Sequence, residues 1–323
     1  MYLRFSEFKS ISEGGNIFKG KTDKIPREYI DPTIEKYYDE LSRLFPKKKN
    51  IWKQFKPVGS VGKKPFSGDI DLAIDSSAFF PKKEVDPKTL KDWNVDPKKW
   101  QDTYEKFKKR ARTATDSSIM WRAFLKELGD YINDRSDLLY IEVKKTGSGG
   151  MFGLFPQYDD KGIEQDIGVQ IDWMVGNIDW LLFSYYSDVP VENVKGLHRT
   201  QLMLAMFDVK NYSFNHTDGV KDKNTKEVVA HTAEEAMKLL GDLYGANLDQ
   251  STLQNYVTLH EYLKRNAKGK VYQEILDTFF KILDRTRADI PWDMQDDWIK
   301  SQKRLGLTGK FLPDESALTK YKK

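Results

Sequence analysis

The chain has 323 residues, enough for about two domains by the usual length prior. Its 39% hydrophobic and 13% aromatic residues can form cores, and its 32% charged residues balance to a formal +4, which excludes a strongly polyanionic or polycationic protein. The lack of cysteine excludes disulfides, thiolate zinc sites and cysteine nucleophiles, while a chain with neither the ~18 consecutive apolar residues of a spanning helix nor an apolar leader after Met1 is expected to be cytoplasmic, with no membrane partner.

Residues 1–25 read as a variable arm, broken by Gly14-Gly15 and Gly20. Residues 26–45 have helical spacing, with Tyr29, Ile34, Tyr37 and Leu41 on one face and Leu44 continuing it. A lysine-rich turn region then leads to Val58-Gly59-Ser60. Nine residues on comes Asp69-Ile70-Asp71-Leu72-Ala73-Ile74, an apolar run with carboxylates at i and i+2. On a strand these alternate, so Asp69 and Asp71 share one face while Ile70, Leu72 and Ile74 share the other. Two such acids repel each other and favour a protonated form. Around divalent metal the same geometry becomes a clamp for phosphoryl transfer. An Asp-x-Asp pair can also be a solvated strand end, but the apolar continuation argues against a simple turn.

Residues 81–97 are rich in proline and lysine and read as an excursion from the core. Residues 100–132 read as one long helical stretch, with Met120, Phe124, Leu128 and Tyr131 at helical spacing. A strand is expected over 138–143, then a flexible Gly147-Ser148-Gly149-Gly150 loop. Residues 168–175 alternate again, setting Asp172 opposite Ile171 and Trp173. Trp173 reads as packing behind the sheet. Beyond Trp180, residues 197–207 have helical spacing, and 212–214 and 228–230 read as short strands. Thr232-Ala233-Glu234-Glu235 is a capping box that starts a helix running to Gly241 or Gly245. Two more helices are expected near 253–263 and 271–283, followed by a basic, loosely held tail over 305–323.

The lysines are unevenly placed. Lys47-Lys48-Lys49, Lys53, Lys56, Lys63-Lys64 and Lys82-Lys83 crowd the segment that carries the Asp-x-Asp, and a second basic run covers 106–112. Such clusters suit a polyanionic partner or a solvated face. The histidines, His198, His216, His231 and His260, are scattered and have no metal-ligand spacing.

Gly59-Ser60, the basic turn after it, Gly68-Asp69-Ile70-Asp71 and a later strand acid together resemble the nucleotidyltransferase superfamily. Its members include DNA polymerase beta and the other family X polymerases, poly(A) polymerases and tRNA nucleotidyltransferases. The resemblance covers roughly residues 50–245 and implies an α+β fold. A polymerase beta-like palm, a small mixed sheet flanked by helices, would occupy 1–180 with the N-terminal arm. A thumb-like and helical region would occupy 181–323, where Leu181 to Asp188, Arg199, Ala205, Gly219 and the Thr232 capping box resemble the palm-to-thumb passage. Lysine-rich, cysteine-free chains of this kind are also similar to small phage-encoded nucleotidyltransferases.

For the site, the resemblance implies that Asp69, Asp71 and Asp172 coordinate two magnesium ions, with manganese able to substitute. Gly59 and Ser60 would hold the triphosphate tail, Lys63 and Lys64 would neutralise charge, and Gly68 would serve the turn into the strand. The implied reaction transfers a nucleoside monophosphate from a ribo- or deoxynucleoside triphosphate to a hydroxyl, releasing pyrophosphate. The implied acceptor is an RNA or DNA 3′ end. A protein or small-molecule acceptor, and a non-catalytic nucleic-acid-binding protein, stay open.

Some residues depart from the family pattern. Ser184-Tyr185-Tyr186-Ser187 stands where family X polymerases have an aromatic-Thr-Gly-Ser segment, and lysines replace the arginines after Gly59-Ser60, losing the bidentate fork. No helix-hairpin-helix signature is seen. Asp159, Asp160, Glu164, Asp166 and Glu142 are rivals to Asp172 as third acid. Arg199 reads as a nucleotide or primer contact or as a surface salt bridge. Tyr185 and Tyr186 read as base-stacking or core aromatics.

Overall fold

A short strand, β1 (Ile25–Pro26), runs into helix α1 (Arg27–Leu44), whose Ile30, Ile34, Tyr37 and Leu41 recur at helical spacing and form its buried stripe. The computed structural model describes residues 16–18, 20–81, 85–110, 116–135, 141–146, 150–186, 196–216, 219–245 and 248–310. Most of the N-terminal arm, Lys82-Lys83, Gly147-Ser148-Gly149, Ser187, Asp188 and the tail beyond 310 therefore lie outside the described residues. The chain divides between Leu181 and Leu182 into two compact units.

In the first unit, α2 (Lys49–Trp52), β2 (Lys56–Pro57), β3 (Phe66–Ser67) and β4 (Ile70–Asp75) follow α1. The proline-rich stretch after β4 holds helix α3 (Pro87–Asp92). The Asp86 carboxylate accepts from the amides of Lys88 and Thr89 at its start, and Pro87 occupies a position that needs no donor. The helix expected over 100–132 is instead two: α4 (Pro97–Arg110) and α5 (Asp116–Asn133). Lys108, Lys109 and Arg110 close α4 and Asp116 opens α5, each charge suited to the dipole end it occupies. The two helices pack on each other, with Thr103 donating to Glu127 at 2.6 Å.

Three strands complete the main sheet: β5 (Glu142–Thr146), β6 (Gly150–Tyr158) and β7 (Glu164–Gly176), followed by α6 (Ile178–Ser184). The strand read over 138–143 thus begins later among the described residues. β6 was not anticipated, because Gly153 and Pro156 dilute its strand pattern. The sheet order is β2-β4-β7-β6-β5. β4 and β7 run parallel while the other neighbours are antiparallel, so the sheet is mixed and the unit is α+β. Ile70, Leu72 and Ile74 of β4 and Ile171, Trp173 and Val175 of β7 are buried in one core with Tyr37, Trp52, Phe55, Phe79, Trp93 and Phe124. The Trp173 indole donates to the Tyr37 hydroxyl at 2.9 Å, so this tryptophan does pack behind the sheet.

In the second unit, α7 (Gly196–Val209) is buried on nearly every side, and α9 (Tyr256–Asn266) and α10 (Gly269–Thr286) pack against it. Between α7 and α9 lie β8 (Tyr212–Asn215), β9 (Gly219–Asp222), β10 (Val228–Ala230) and α8 (Ala233–Tyr244). The strands form an antiparallel sheet ordered β10-β9-β8, of which β9 was read only as a glycine turn. Gly219 has φ +101 and its Cβ would meet the Ala230 carbonyl oxygen at 2.1 Å, so only glycine fits there. The capping box forms: Thr232 accepts from the Glu235 amide, and Glu235 accepts from the Thr232 amide. Helix α11 (Gln295–Leu305) closes the described chain. Among the described residues no helix is long and apolar enough to cross a membrane.

Phe124 is fully buried, with ring centroids 4.8 Å from Phe80 and 5.6 Å from Phe79. Phe124→Ala is expected to lower unfolding free energy by about 3–5 kcal/mol in urea denaturation. Phe66, 57% exposed, is expected to tolerate the same truncation within about 0.5 kcal/mol.

Candidate active site

The register of β4 on β7 sets Asp71 directly beside Asp172. Both alternate away from the core-facing Ile70, Leu72, Ile171 and Trp173, so their carboxylates share the opposite face of the sheet. Asp69 lies in the bend immediately before β4 rather than within the strand, and its charge still acts on both of the others. Asp71 and Asp172 are therefore neighbours, with Asp69 near enough for its charge to reach both.

Their surroundings disfavour ionisation. Burial pushes the Asp71 carboxyl well above the usual carboxylate range, and the charges of Asp69 and Asp172 push the same way. Burial also raises Asp69. Asp172, 5% exposed, is raised to about 8, mainly by burial; a hydrogen bond from Gln170 opposes the rise and the Asp69 charge adds to it.

Gln170 is a participant that sequence reasoning missed. Its amide donates to Asp172 Oδ2 at 2.9 Å, from two residues earlier on the same strand face. A buried polar residue at i−2 from a strand acid was the available signal. Asp172 Oδ1 is buried and has no hydrogen-bond partner among the described residues. A buried acceptor without a donor is costly, and a hard divalent cation is the partner that carboxylate oxygen takes best. The donor set thus fits magnesium or manganese in its chemistry. Among the described residues, however, no three or more His, Asp or Glu side chains are arranged so that they could hold a metal ion, and these three acids are included in that statement. The acids adjoin one another, with one Asp172 oxygen turned to Gln170.

The glycine turn meets these acids through the edge strand. The Val58 amide donates to the Asp71 carbonyl at 3.0 Å, extending the β2–β4 pairing to the threshold of Gly59. Gly59 has φ +67, and a Cβ there would lie 3.1 Å from Asp71 Oδ2. Conformation and space both call for glycine. The turn closes with the Lys63 amide donating to the Ser60 carbonyl at 3.1 Å. Lys63 is exposed and Lys64 half-buried in the chain that follows. Gly68 occupies the bend before β4 without a positive φ; Gly62, at φ +70, takes the left-handed position instead.

The rivals to Asp172 fall elsewhere. Glu142 stands on β5, separated from β4 by two intervening strands, and is paired with Lys21 at 2.6 Å. Asp159 accepts from the Lys161 and Ile163 amides in the turn between β6 and β7, with Asp160 beside it, while Glu164 and Asp166 lie at the start of β7. Arg199 departs from both of its readings. It is 1% exposed, donates to the carbonyls of Leu253 and Phe183, and lies over the rings of Phe183 and Tyr186. Burial lowers its pKa to about 10, which still leaves it charged. Tyr185 stacks on His216 with centroids 4.8 Å apart.

The sign of the pH dependence follows from the raised acid. An Asp172 that titrates at 3.8 unfolded and about 8 folded binds more protons in the folded state across that window. Stability is then greatest below the unfolded value and is lost as pH rises through the folded one. In chelator, urea denaturation is expected to show this decline from about pH 4 to about pH 8, with a shallower decline for Asp172→Asn.

Comparison with protein-family models gives no match, and comparison with curated proteins gives none. Among solved structures, the chain is similar to the crystal structure of Leishmania infantum polymerase beta in a ternary gap complex. The identity is 14% and the TM-score 0.32, over 80% of this chain and 67% of that one.

Proposed function

We propose that this chain is a metal-dependent nucleotidyltransferase that moves a nucleoside monophosphate from a nucleoside triphosphate to a hydroxyl, with a nucleic-acid 3′ end as acceptor. The observation that carries this reading is the juxtaposition of Asp71 and Asp172 on adjacent strands, with Gly59 held against the Asp71 carboxylate. Crowded, buried acids beside a left-handed glycine turn make poor packing and a good phosphoryl-transfer site.

In this reading Asp69, Asp71 and Asp172 hold two magnesium ions. When bound, these neutralise the triphosphate and lower the pKa of the acceptor hydroxyl. Gln170 fixes the orientation of Asp172, leaving its other oxygen available. The turn from Gly59 to Gly62 presents backbone amides to phosphate oxygens, because left-handed residues in a turn form anion-binding concavities. Lys63 and Lys64 add positive field where charge collects on the departing pyrophosphate. Ser60 adds a hydroxyl donor, and Gly68 allows the bend that aims Asp69.

The test is label transfer from ribo- and deoxynucleoside triphosphates in magnesium or manganese, offered with single-stranded RNA, tRNA, primed DNA or no acceptor. Asp71→Asn is expected to lower transfer by more than about a hundredfold, and Gln170→Ala by roughly ten- to a hundredfold. Transfer without any oligonucleotide would move the acceptor to a protein or small molecule. Transfer that survives Asp71→Asn, or none at all from folded protein, would overturn the catalytic reading.

A further inference from the structure

The last stretch of the N-terminal arm is built into the main sheet. Thr22, which is buried, forms a parallel bridge with Gly168 of β7. The Gly168 amide donates to the Lys21 carbonyl and the Asp23 amide to the Gly168 carbonyl, both at 3.1 Å. β6 lies along the other edge of β7, so the arm occupies the edge that β4 takes from Ile171 onward.

That placement decides where Asp69 stands. β4 begins with Ile70 beside Ile171, and three residues back in the same register Ser67 would stand beside Gly168. Thr22 holds that place, and Ser67 pairs with Ile25 of β1 instead. Gly68 and Asp69 therefore bend between two ladders, which leaves Asp69 outside β4. Phe18 and Ile25, both fully buried, anchor the arm on either side of the bridge.

Gln157 of β6 locks the arm in this position. It is 2% exposed, and its amide nitrogen donates to the carbonyls of Asp23 and Gly168, each at 3.1 Å. One side chain thus ties the arm to the stretch of β7 that leads through Gln170 to Asp172. A buried amide with both donors engaged holds its neighbours in one arrangement. Gly168 permits the close approach, since a Cβ there would lie 2.9 Å from the Lys21 carbonyl oxygen.

We infer that residues 21–26 are part of the acid site and that Gln157 is a positioning residue. Through the arm it holds Asp69 out of β4, where the Asp69 charge reaches Asp71 and Asp172. The metal in this inference rests on the nucleotidyl-transfer reading, whereas the placement of Asp69 rests on the strand registers. Without the lock, the freed edge of β7 is open to a backward extension of β4 that would carry Asp69 beside Gln170. Residues that orient a metal ligand from behind govern metal affinity by about ten- to a hundredfold.

The experiment follows thermal unfolding of the full chain across a magnesium chloride series and takes the magnesium dissociation constant from the rise in melting temperature. Gln157→Met removes both donors and nearly keeps the volume, while Gly168→Ala places a Cβ against the Lys21 carbonyl. Phe124→Leu, on α5, is the control for a loosened core. Each arm variant is expected to weaken magnesium binding about tenfold or more. Phe124→Leu is expected to lower the melting temperature in chelator with the magnesium constant unchanged. Unchanged or tighter magnesium binding in an arm variant that folds overturns the inference and leaves the catalytic reading standing, and so does equal weakening in Phe124→Leu. A wild type indifferent to magnesium overturns the catalytic reading and the inference together. Weakened binding in the arm variants, with no label transfer by the wild type, rejects catalysis alone.

Discussion

Parallel pairing of β4 with β7 is the constraint on which the rest of the first unit depends. It places Ile70, Leu72 and Ile74 beside Ile171, Trp173 and Val175 on one face, where they close over an aromatic core. Strand alternation then forces Asp71 and Asp172 side by side on the other face. A slip of one residue would bury the carboxylates in that core and expose the tryptophan, so hydrophobic burial fixes the register and the register fixes the acids. The electrostatic cost of their proximity is borne by the core beneath them.

The same strand pairing ties the glycine turn to the acids. β2 pairs with β4, Val58 donates to the Asp71 carbonyl, and the next residue is the left-handed glycine against the Asp71 side chain. The turn and the carboxylates are thus one local structure built on one edge of the sheet. Gln170 belongs to that structure as well, because β7 presents it on the same face as Asp172.

Much of this arrangement was legible in the residues. The Asp-x-Asp and Asp172 stood out because a period of two in an apolar run is a local property, and so did the Thr232 capping box. What escaped depends on distant parts of the chain. The division of residues 100–132 into α4 and α5 was hidden because each helix presents its apolar face with the same spacing. β6 was hidden by Gly153 and Pro156, which a strand surrounded by partners tolerates. Arg199 was read as exposed because charged residues usually are; its burial rests on carbonyls of Phe183 and Leu253, the latter 54 residues away. The apolar strand neighbours of Asp172 favoured it over Glu142, and the strand order sets Asp172 beside Asp71 and Glu142 two strands further off.

The central claim is that mutual repulsion and burial of the three acids are relieved by divalent cations. The most direct measurement is thermal unfolding of wild type and Asp71→Asn, each in chelator and in magnesium chloride. Replacing a buried carboxyl crowded by two others with a neutral amide should leave the variant more stable in chelator, while magnesium should raise the melting temperature of the wild type and leave the variant nearly unchanged. The account predicts that the two curves exchange order. A wild type that is more stable than the variant in chelator and indifferent to magnesium would contradict it.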